Sequence, residues 1–290
     1  VKAAQVTAFQ TLERLDIAQN SMTGAIPTGI TQFSALRELR FNDNRFSGDF
    51  PQTFPALLRL EIFDASRNAL TGTLPENIGL MRQLRQFSVS RNQMSGAIPT
   101  GLAECELLRR LELDSNNFEG TLPEGVSAWQ NLLTFNVSAN RLTSIPTLTA
   151  SRQVLETLVV SSNRLTFESI EGNVGIRGYR YSLQDSVGIA QNLAFQPARR
   201  IELTMNVGGT ANRYQWFKNG VAVSATSASA TFLVSDNAAQ TDAGRYECRI
   251  TNTIAPELTL FSRAWNVSVD GTAPPPVLPN PVAQPFLQYP

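Results

Sequence analysis

Leu108-Arg-Arg-Leu-Glu-Leu-Asp-Ser-Asn116 is one copy of a frame that recurs along the first half of the chain. The frame reads Leu-x-x-Leu-x-Leu-x-x-Asn, and we number it from one at the first leucine to nine at the asparagine. The asparagine returns every 24 residues, with a last step of 23, at Asn20, Asn44, Asn68, Asn92, Asn116, Asn140 and Asn163. Such a period is typical of a solenoid and not of a globular enzyme core.

The frame predicts where each side chain lies. Apolar residues at positions one, four and six point inward from a short strand, so stacked repeats share one core. The asparagine at position nine is predicted to bind backbone groups where the strand turns away, which is a structural role. Glycine and a following Ile-Pro, Phe-Pro or Leu-Pro then predict a tight return with little helix, as in Gly24 to Pro27 and Gly120 to Pro123.

These motifs resemble leucine-rich repeats, in the Leu-x-Gly-x-Ile-Pro subtype best known from plant receptor kinase ectodomains and also found in bacterial surface proteins. The resemblance covers residues 9 to about 167. Regularity decays at the end, since Arg141–Pro146 lacks the glycine and the seventh repeat lacks the proline. Phe9 occupies the Phe33 slot, so residues 1 to 8 are expected to be the tail of an earlier repeat and the chain to be part of a longer polypeptide.

Composition excludes several classes of function. The 290 residues have zero formal net charge, 42% hydrophobic content and no histidine. Absence of histidine removes Ser-His-Asp and Cys-His catalysis and His-ligated zinc, so we expect no enzyme, no cofactor and no metal. Neutral charge argues against a nucleic-acid partner, and no apolar run is long enough for a membrane span within this chain.

The second half predicts a different fold. Ile201–Val207 alternates as a strand does, and Tyr214–Gly220 ends in an Asn-Gly turn signal. With Trp216, and Tyr246 two residues before Cys248, residues 187–270 resemble an immunoglobulin-like β-sandwich. Met205 stands where that family has its first core cysteine, so the resemblance implies no inter-sheet disulfide. We predict that Cys248 is buried and reduced, and that Cys105 is a small core hydrophobe.

The domain prediction has four parts: a solenoid of about seven repeats at 1–170, a connector at 171–186, the sandwich at 187–270 and a Pro-rich linker at 271–290. The connector, through Gly178–Gly188, resembles an element of Bacteroidetes-type surface proteins, although Leu183 replaces the usual proline. The Pro-rich stretch is predicted to be an extended spacer, with a disordered terminus as the alternative. The fold class is therefore mainly β.

Charge ladders on the predicted concave face suggest a binding site. Position two reads Glu13, Arg37, Glu61, Arg85, Arg109, and position five reads Asp16, Arg40, Asp64, Ser88, Glu112, Asn136, Val159. The first three repeats are expected to neutralise themselves, whereas the arginines from the fourth repeat onward have fewer acidic neighbours and could grip a carboxylate, sulfate or phosphate. A solvated face is the alternative. The candidate ligand-binding residues are Arg85, Arg109, Arg110, Arg91, Arg67, Glu112 and Asn136.

Catalysis by carboxylates of this face is not expected. Asp16, Asp64 and Glu112 would lie about 9 to 10 Å apart on alternate strands, but Arg40 between the first two keeps them ionised and an open face gives no burial to raise a pKa. The Asn136-Val-Ser and Asn266-Val-Ser triplets are weak evidence of glycosylation.

The sequence therefore predicts a non-enzymatic, secreted or cell-surface recognition module that binds a protein or glycan on its concave face. The alternative is a structural stalk of a large bacterial surface protein or extracellular assembly. A third hypothesis, a signalling receptor ectodomain, requires a membrane span outside this chain.

Overall fold

The computed structural model describes residues 10–269, which form two compact units. The first unit contains the described residues up to Asp185 together with Val207–Ala211 and Asn252–Thr259. The second contains Ser186–Asn206, Asn212–Thr251 and the described residues from Leu260 onward. The predicted N-terminal repeat tail, residues 1–8, and the predicted Pro-rich linker, 271–290, lie outside the described residues.

A parallel eight-stranded sheet runs through the first unit, one strand per repeat. Its register advances by one repeat at each step, so that Leu15 pairs with Leu39 and Leu39 with Phe63. Most strands cover frame positions three to five, because only there does the chain run extended between two turns. They are β1 (Arg14–Asp16), β3 (Glu38–Arg40), β5 (Ile62–Asp64), β7 (Gln86–Ser88), β9 (Arg110–Glu112), β11 (Thr134–Asn136), β13 (Thr157–Val159) and β14 (Tyr179–Arg180).

The other side of the repeats carries two three-stranded parallel sheets, in the orders β2-β4-β6 and β8-β10-β12. Their strands are β2 (Thr23–Gly24), β4 (Arg45–Asp49), β6 (Ala69–Thr71), β8 (Ser95–Ala97), β10 (Asn117–Thr121) and β12 (Arg141–Ser144). Short 3₁₀ turns follow at Thr28–Gln32, Phe54–Ala56, Ile78–Leu80, Thr100–Glu104 and Glu124–Ala128, and the described chain has one α-helix, α1 (Phe167–Glu171). The predicted low helix content is confirmed.

Frame positions one, four and six form the core, as predicted. Leu108, Leu111 and Leu113 are all fully buried. Cys105 is also fully buried, with its Sγ 3.7 Å from the carbonyl oxygens of Ile78 and Met81. Burial raises the pKa of the Cys105 thiol to about 12. The prediction that this residue is a core hydrophobe is confirmed.

The frame asparagines join neighbouring repeats by hydrogen bonds. Asn116 Nδ2 donates to the carbonyl of Val89 in the preceding repeat at 2.9 Å and to that of Leu113 at 3.1 Å, while its Oδ1 accepts from the N–H of Met94 at 3.0 Å. The same pattern holds for Asn68, Asn92, Asn140 and Asn163. The asparagine is therefore structural, as predicted, because it satisfies backbone groups that the bend removes from the ladder.

The residue before each of these asparagines has a left-handed backbone, which the sequence did not signal. Position eight has φ between 51° and 57° at Gln19, Asp43, Arg67, Arg91, Ser115, Ala139 and Ser162. Left-handed backbone is unfavourable for residues other than glycine and is tolerated best by asparagine and aspartate. Backbone hydrogen bonds between repeats fix it here, as from the N–H of Arg91 to the carbonyl of Asp114 at 2.8 Å.

The segment predicted as a connector supplies an eighth strand and an eighth frame. Ile176, Tyr179, Tyr181 and Gln184 occupy positions one, four, six and nine, and Leu183 at position eight again has a positive φ, 61°. Gln184 Nε2 donates to the carbonyl of Val160 at 3.0 Å, as an asparagine would.

The second unit is built from a six-stranded and a two-stranded sheet. The first has the order β15-β22-β20-β17-β18, with β21 also paired to β20, and the second joins β16 and β19 antiparallel. The strands are β15 (Gln191–Phe195), β16 (Ile201–Thr204), β17 (Asn212–Lys218), β18 (Val221–Ala222), β19 (Thr231–Ser235), β20 (Gly244–Asn252), β21 (Thr259–Phe261) and β22 (Trp265–Val269).

Aromatic rings fill the core of this unit. Trp216 is 2% exposed and stacks on Phe232 with ring centroids 5.7 Å apart. Tyr246 is buried, and its hydroxyl donates to the carbonyl of Asp242 at 2.7 Å. Met205 and Cys248 are buried and Cys248 is a free thiol, so the predicted buried, reduced state of Cys248 is confirmed.

Candidate functional site

The open face is the side of the eight-stranded sheet that carries frame positions two, three, five, seven and eight. In the first repeats its charges pair with each other. Glu38 accepts from Arg14 at 3.0 Å and from Arg40 at 2.5 Å. Glu61 accepts from Arg37 at 2.6 Å. The arginines of this part of the face are therefore paired, whereas the carboxylates of Glu13, Asp16 and Asp64 form no ion pair within residues 10–269.

Three of the five candidate arginines have acidic partners. Arg85 pairs with Glu61 at 3.3 Å, Arg110 with Glu112 at 3.1 Å and Arg67 with Asp43 at 3.1 Å. The ladders at positions two and five did not include Asp43 and Arg67, which pair across neighbouring repeats at position eight, or Arg110, which reaches Glu112 along its own strand. Within residues 10–269, Arg91 and Arg109 form no ion pair.

Four of the candidate residues line one polar depression of about 410 Å³ on the open face. They are Arg67, Arg91, Glu112 and Asn136, and the remaining lining residues are Asp43, Ser66, Ser88, Ser90 and Asp114. Arg85, Arg109 and Arg110 do not line it. They precede or begin their strands, whereas Arg67 and Arg91 follow theirs, so the structure separates the predicted patch into two groups.

Small side chains in the fourth repeat create the depression. Ser88 at position five and Ser90 at position seven are nearly buried. The neighbouring repeat carries the larger Glu112 and Asp114 at these positions. The run Phe87-Ser-Val-Ser90 was thus a sequence signal for a hollow, since it shortens both outward side chains of one strand.

Opposite charges lie on two sides of the depression. Asn42 Nδ2 donates to Asp43 at 2.8 Å, and this bond, together with the charges of Arg67 and Arg91, holds the pKa of Asp43 below its usual value. Asp43 is therefore ionised at neutral pH and opposes Arg67.

The other side of the depression holds acceptors. Asp114 accepts from the Ser90 hydroxyl at 2.6 Å and from the Ser115 hydroxyl at 3.2 Å. The depression thus holds the guanidinium donors of Arg91 together with the carboxylate oxygens of Glu112 and Asp114, which suits a ligand that carries both an anionic group and N–H or O–H donors.

A second hollow of about 380 Å³ lies between the first two repeats, where Arg14, Asp16 and Arg40 are among its lining residues. Both of its arginines are already bound to Glu38. The polar depression is therefore the better candidate.

Neither a metal site nor a membrane helix is found in the described part of the chain. Within residues 10–269, no three His, Cys, Asp or Glu residues come together as metal ligands. No helix in the same range has the length and apolar character needed to cross a bilayer.

Comparison with protein families identifies the repeats. Residues 35–57 and 107–129 match the Leucine Rich Repeat model. The chain thus contains leucine-rich repeats, and no curated protein sequence matches it significantly.

Solved structures with the same fold include plant receptors. The plant peptide hormone receptor RGFR1, in complex with RGF2, is 28% identical over 63% of this chain, with a TM-score of 0.56. A TDR receptor is 29% identical over 63%, with a TM-score of 0.56. The Arabidopsis receptor kinase HAESA, in complex with the peptide hormone IDA and the co-receptor SERK1, is 26% identical over 66%, with a TM-score of 0.58. The match covers 30% to 32% of the length of these chains.

Proposed function

We propose that this protein is a non-enzymatic recognition module, exposed outside the cell, whose polar depression binds a peptide segment of a protein ligand. The observation that carries the proposal is Arg91, which has no ion-pair partner among the described residues and lies beside the hydroxyls of Ser88 and Ser90. A glycan that carries an anionic group offers similar chemistry and is the second ligand class to test.

The chemistry of the depression supports binding over catalysis. Asp43 is ionised, and Glu112 is held by Arg110 at 3.1 Å. General acid catalysis requires a carboxyl group whose pKa is raised by burial. The pKa of Asp43 is lowered instead, so its carboxyl group holds no proton to donate at neutral pH. Guanidinium donors together with carboxylate acceptors fit a ligand with an anionic group and several N–H donors, which a peptide backbone and its side chains provide.

The structural relatives favour a peptide. Two of the similar structures are the peptide hormone receptor RGFR1 in complex with RGF2 and the receptor kinase HAESA in complex with the peptide hormone IDA. Their similarity to this chain is limited to about a third of their length, so the ligand class is part of the proposal.

A binding array tests the proposal. Wild type, Arg91→Ser and the matched control Arg45→Ser, an exposed arginine of the outer strand β4, are applied to acidic peptides, phosphopeptides and sulfated glycans. A charge-assisted hydrogen bond contributes about 1.5 to 3 kcal/mol, so Arg91→Ser should weaken binding by roughly 10- to 100-fold. The control should bind as wild type does. Equal binding by wild type and Arg91→Ser would exclude the depression as the site.

The same array separates the candidate arginines. Arg109→Ser removes the other arginine that has no ion pair in residues 10–269, outside the depression. If this variant alone loses binding, the ligand contacts the opposite end of the strands, near Arg85 and Arg110.

For the second unit we propose an immunoglobulin-like sandwich without the inter-sheet disulfide, within 187–270. Support comes from Trp216 in the core, from Met205 and Cys248 both buried, and from the hydroxyl of Tyr246 bound to the Asp242 carbonyl. That last bond is typical of the tyrosine corner of such sandwiches. We further propose that 1–170 is the recognition domain, that 171–186 adds its eighth repeat frame and leads into the sandwich, and that 271–290 is an extended spacer.

A structural stalk is the second candidate function. The observation that favours it is the pairing of arginines on the open face of the first three repeats, where Glu38 and Glu61 each bind two arginines. A stalk segment of a bacterial surface protein would bind nothing on the array, yet its removal from the full-length protein would abolish surface display of the distal parts.

A further inference from the structure

We propose a second binding site, on the outer side of the six-stranded sheet of the second unit, which takes an acidic peptide through Arg249. This site is independent of the polar depression.

Arg249 lies between two aromatic rings on neighbouring strands. Its guanidinium carbon is 5.1 Å from the centroid of the Phe217 ring on β17 and 5.7 Å from that of Phe261 on β21. Contacts at this distance with the ring faces hold a guanidinium by cation–π attraction. We call these three residues the Phe–Arg–Phe cluster. The rings hold the guanidinium in place, so its N–H groups lose less entropy when they bind a planar anion.

The aromatic surface of this cluster is not required by the core. Phe261 is 52% exposed, although Leu260 and Ser262 on either side of it are buried. An exposed aromatic side chain in contact with an arginine is typical of contact surfaces, where aromatic residues and arginine are enriched.

The charge on this side of the sheet selects an anionic partner. Arg213 and Arg249 alternate outward on β17 and β20, and Arg263 is exposed just beyond β21. None of the three forms an ion pair with a carboxylate in residues 10–269. The acid nearest to the cluster along β20, Glu247, is already bound by Arg245 at 2.7 Å.

A small hollow beside Arg249 is the place where a second group of the peptide, an apolar side chain, is expected to bind. It measures about 190 Å³ and is lined by Phe217, Gly220, Glu247, Cys248, Arg249 and Phe261. Its walls are mostly aromatic and backbone surface, so it accommodates one apolar side chain. The occupant is therefore a peptide in which Asp or Glu adjoins Leu or Phe, with the carboxylate on Arg249 and the apolar side chain in the hollow.

The test uses the whole chain and two immobilised peptide sets. In the first set Asp and Glu alternate with Leu and Phe, and in the second Asn and Gln replace the acids. Wild type is expected to bind the acidic set at least 10-fold more tightly than the amide set. Arg249→Gln and Phe261→Ala should each weaken that binding at least 10-fold, while the control Arg199→Gln, an exposed arginine away from β17, β20 and β21, should leave it unchanged.

Three outcomes would overturn the proposal: equal binding of both peptide sets, equal binding by wild type and Arg249→Gln, or a loss of binding in Arg199→Gln of the same size.

Sedimentation of the chain without peptide tests whether the same face binds a second copy. A dimer that Arg249→Gln dissociates would mean that the face binds a second copy and not an acidic peptide. Thermal unfolding of each variant shows that the fold is retained, and Arg91→Ser, which removes the other site, should leave this binding intact.

Discussion

The side-chain oxygen of Gln184 accepts a hydrogen bond from the backbone N–H of Asn163 at 3.1 Å, so a glutamine closes a ladder that asparagines build. The same oxygen accepts from the N–H of Leu165 at 3.2 Å, and Gln184 Nε2 donates to the carbonyls of Val160 and Tyr181. One side chain thus satisfies four backbone groups at the last turn of the first unit.

We predict that Gln184→Ala lowers the free energy of unfolding by about 2 kcal/mol, since partly buried donors and acceptors lose their partners. Urea unfolding measures this, and Gln130→Ala, at an exposed glutamine, is the control. Hydrogen exchange should accelerate around Asn163 before it does near Asn44, because repeats unfold from the end that is weakened. Unchanged exchange at Asn163 would contradict the proposed closing role of Gln184.

The loss in free energy of unfolding when a frame asparagine is replaced by alanine should depend on its position in the ladder. Asn116 is 9% exposed and binds backbone groups of two repeats. Asn20 is exposed, and among residues 10–269 its side chain binds only carbonyls of its own repeat. We expect Asn116→Ala to cost about 3 kcal/mol and Asn20→Ala less than about 1 kcal/mol. Equal shifts in the two urea midpoints would argue against an inter-repeat role.

The repeat period predicted most of the first unit, because the frame fixes which side chains point inward. Cys105 and Leu108 could be placed in the core by counting back from Asn116. The eighth frame was harder to recognise, since Tyr179, Tyr181 and Gln184 replace the leucines and the asparagine, and tyrosine and glutamine are no part of the repeat consensus. Their roles appear only when β14 pairs with β13.

The site was less predictable for a geometrical reason. Frame positions give the order of side chains but not their reach, so the sequence did not show that Arg110 turns along its own strand to Glu112 at 3.1 Å. Nor did it show that Arg91 lies on left-handed backbone, with φ of 55°. The hollow at Ser88 and Ser90 results from two small residues at the end of β7, and this pair is visible in the sequence as Phe87-Ser-Val-Ser90.

Glu171 in α1 is expected to make the first unit sensitive to acid. Its carboxylate accepts from the N–H and the hydroxyl of Thr210, both at 2.7 Å, and from Asn252 Nδ2 at 2.6 Å. Burial alone would raise the pKa of Glu171, but these bonds outweigh it and hold the pKa below its usual value. A lowered pKa stabilises the folded state above the unfolded value of about 4.3, and this contribution is lost as pH falls through the folded pKa.

We therefore predict faster hydrogen exchange at Thr210 and Ala211 as pH drops below about 4, after correction for the intrinsic rate. Glu171→Gln should show the faster exchange already at pH 7, while the exposed control Glu156→Gln should behave as wild type. Protection at Thr210 that does not depend on pH in the wild type would be inconsistent with an ionised Glu171.

The two buried thiols should destabilise the fold at alkaline pH. Burial raises the pKa of Cys105 and of Cys248 to about 12 in the folded state. In the unfolded chain a thiol ionises near pH 8.5. Because the thiol pKa is higher in the folded state, the protonated thiols stabilise the fold fully below the unfolded pKa of about 8.5. This contribution is lost as the pH rises from there toward 12.

The urea midpoint of wild type should thus fall more steeply between pH 8 and 10 than that of the double variant Cys105→Ser/Cys248→Ser. Tyrosine ionisation contributes equally to both proteins and cancels in the difference. Labelling of native protein by a thiol reagent at pH 8 should be slow for the same reason. Rapid modification of either cysteine would contradict the buried, protonated state.

Replacement of Arg91 by asparagine should raise the free energy of unfolding but weaken ligand binding. Its left-handed backbone is unfavourable for arginine, whereas asparagine tolerates this conformation well. Arg91→Asn is therefore expected to raise the free energy of unfolding by about 0.5 kcal/mol while it removes the guanidinium from the polar depression. Urea unfolding and the peptide array measure the two effects on the same preparation. Ser162→Asn, at the same frame position outside the depression, should give the stability gain without a loss of binding. If Arg91→Asn lowers both stability and binding, the loss of binding is explained by damage to the fold, and the guanidinium would no longer be implicated in recognition.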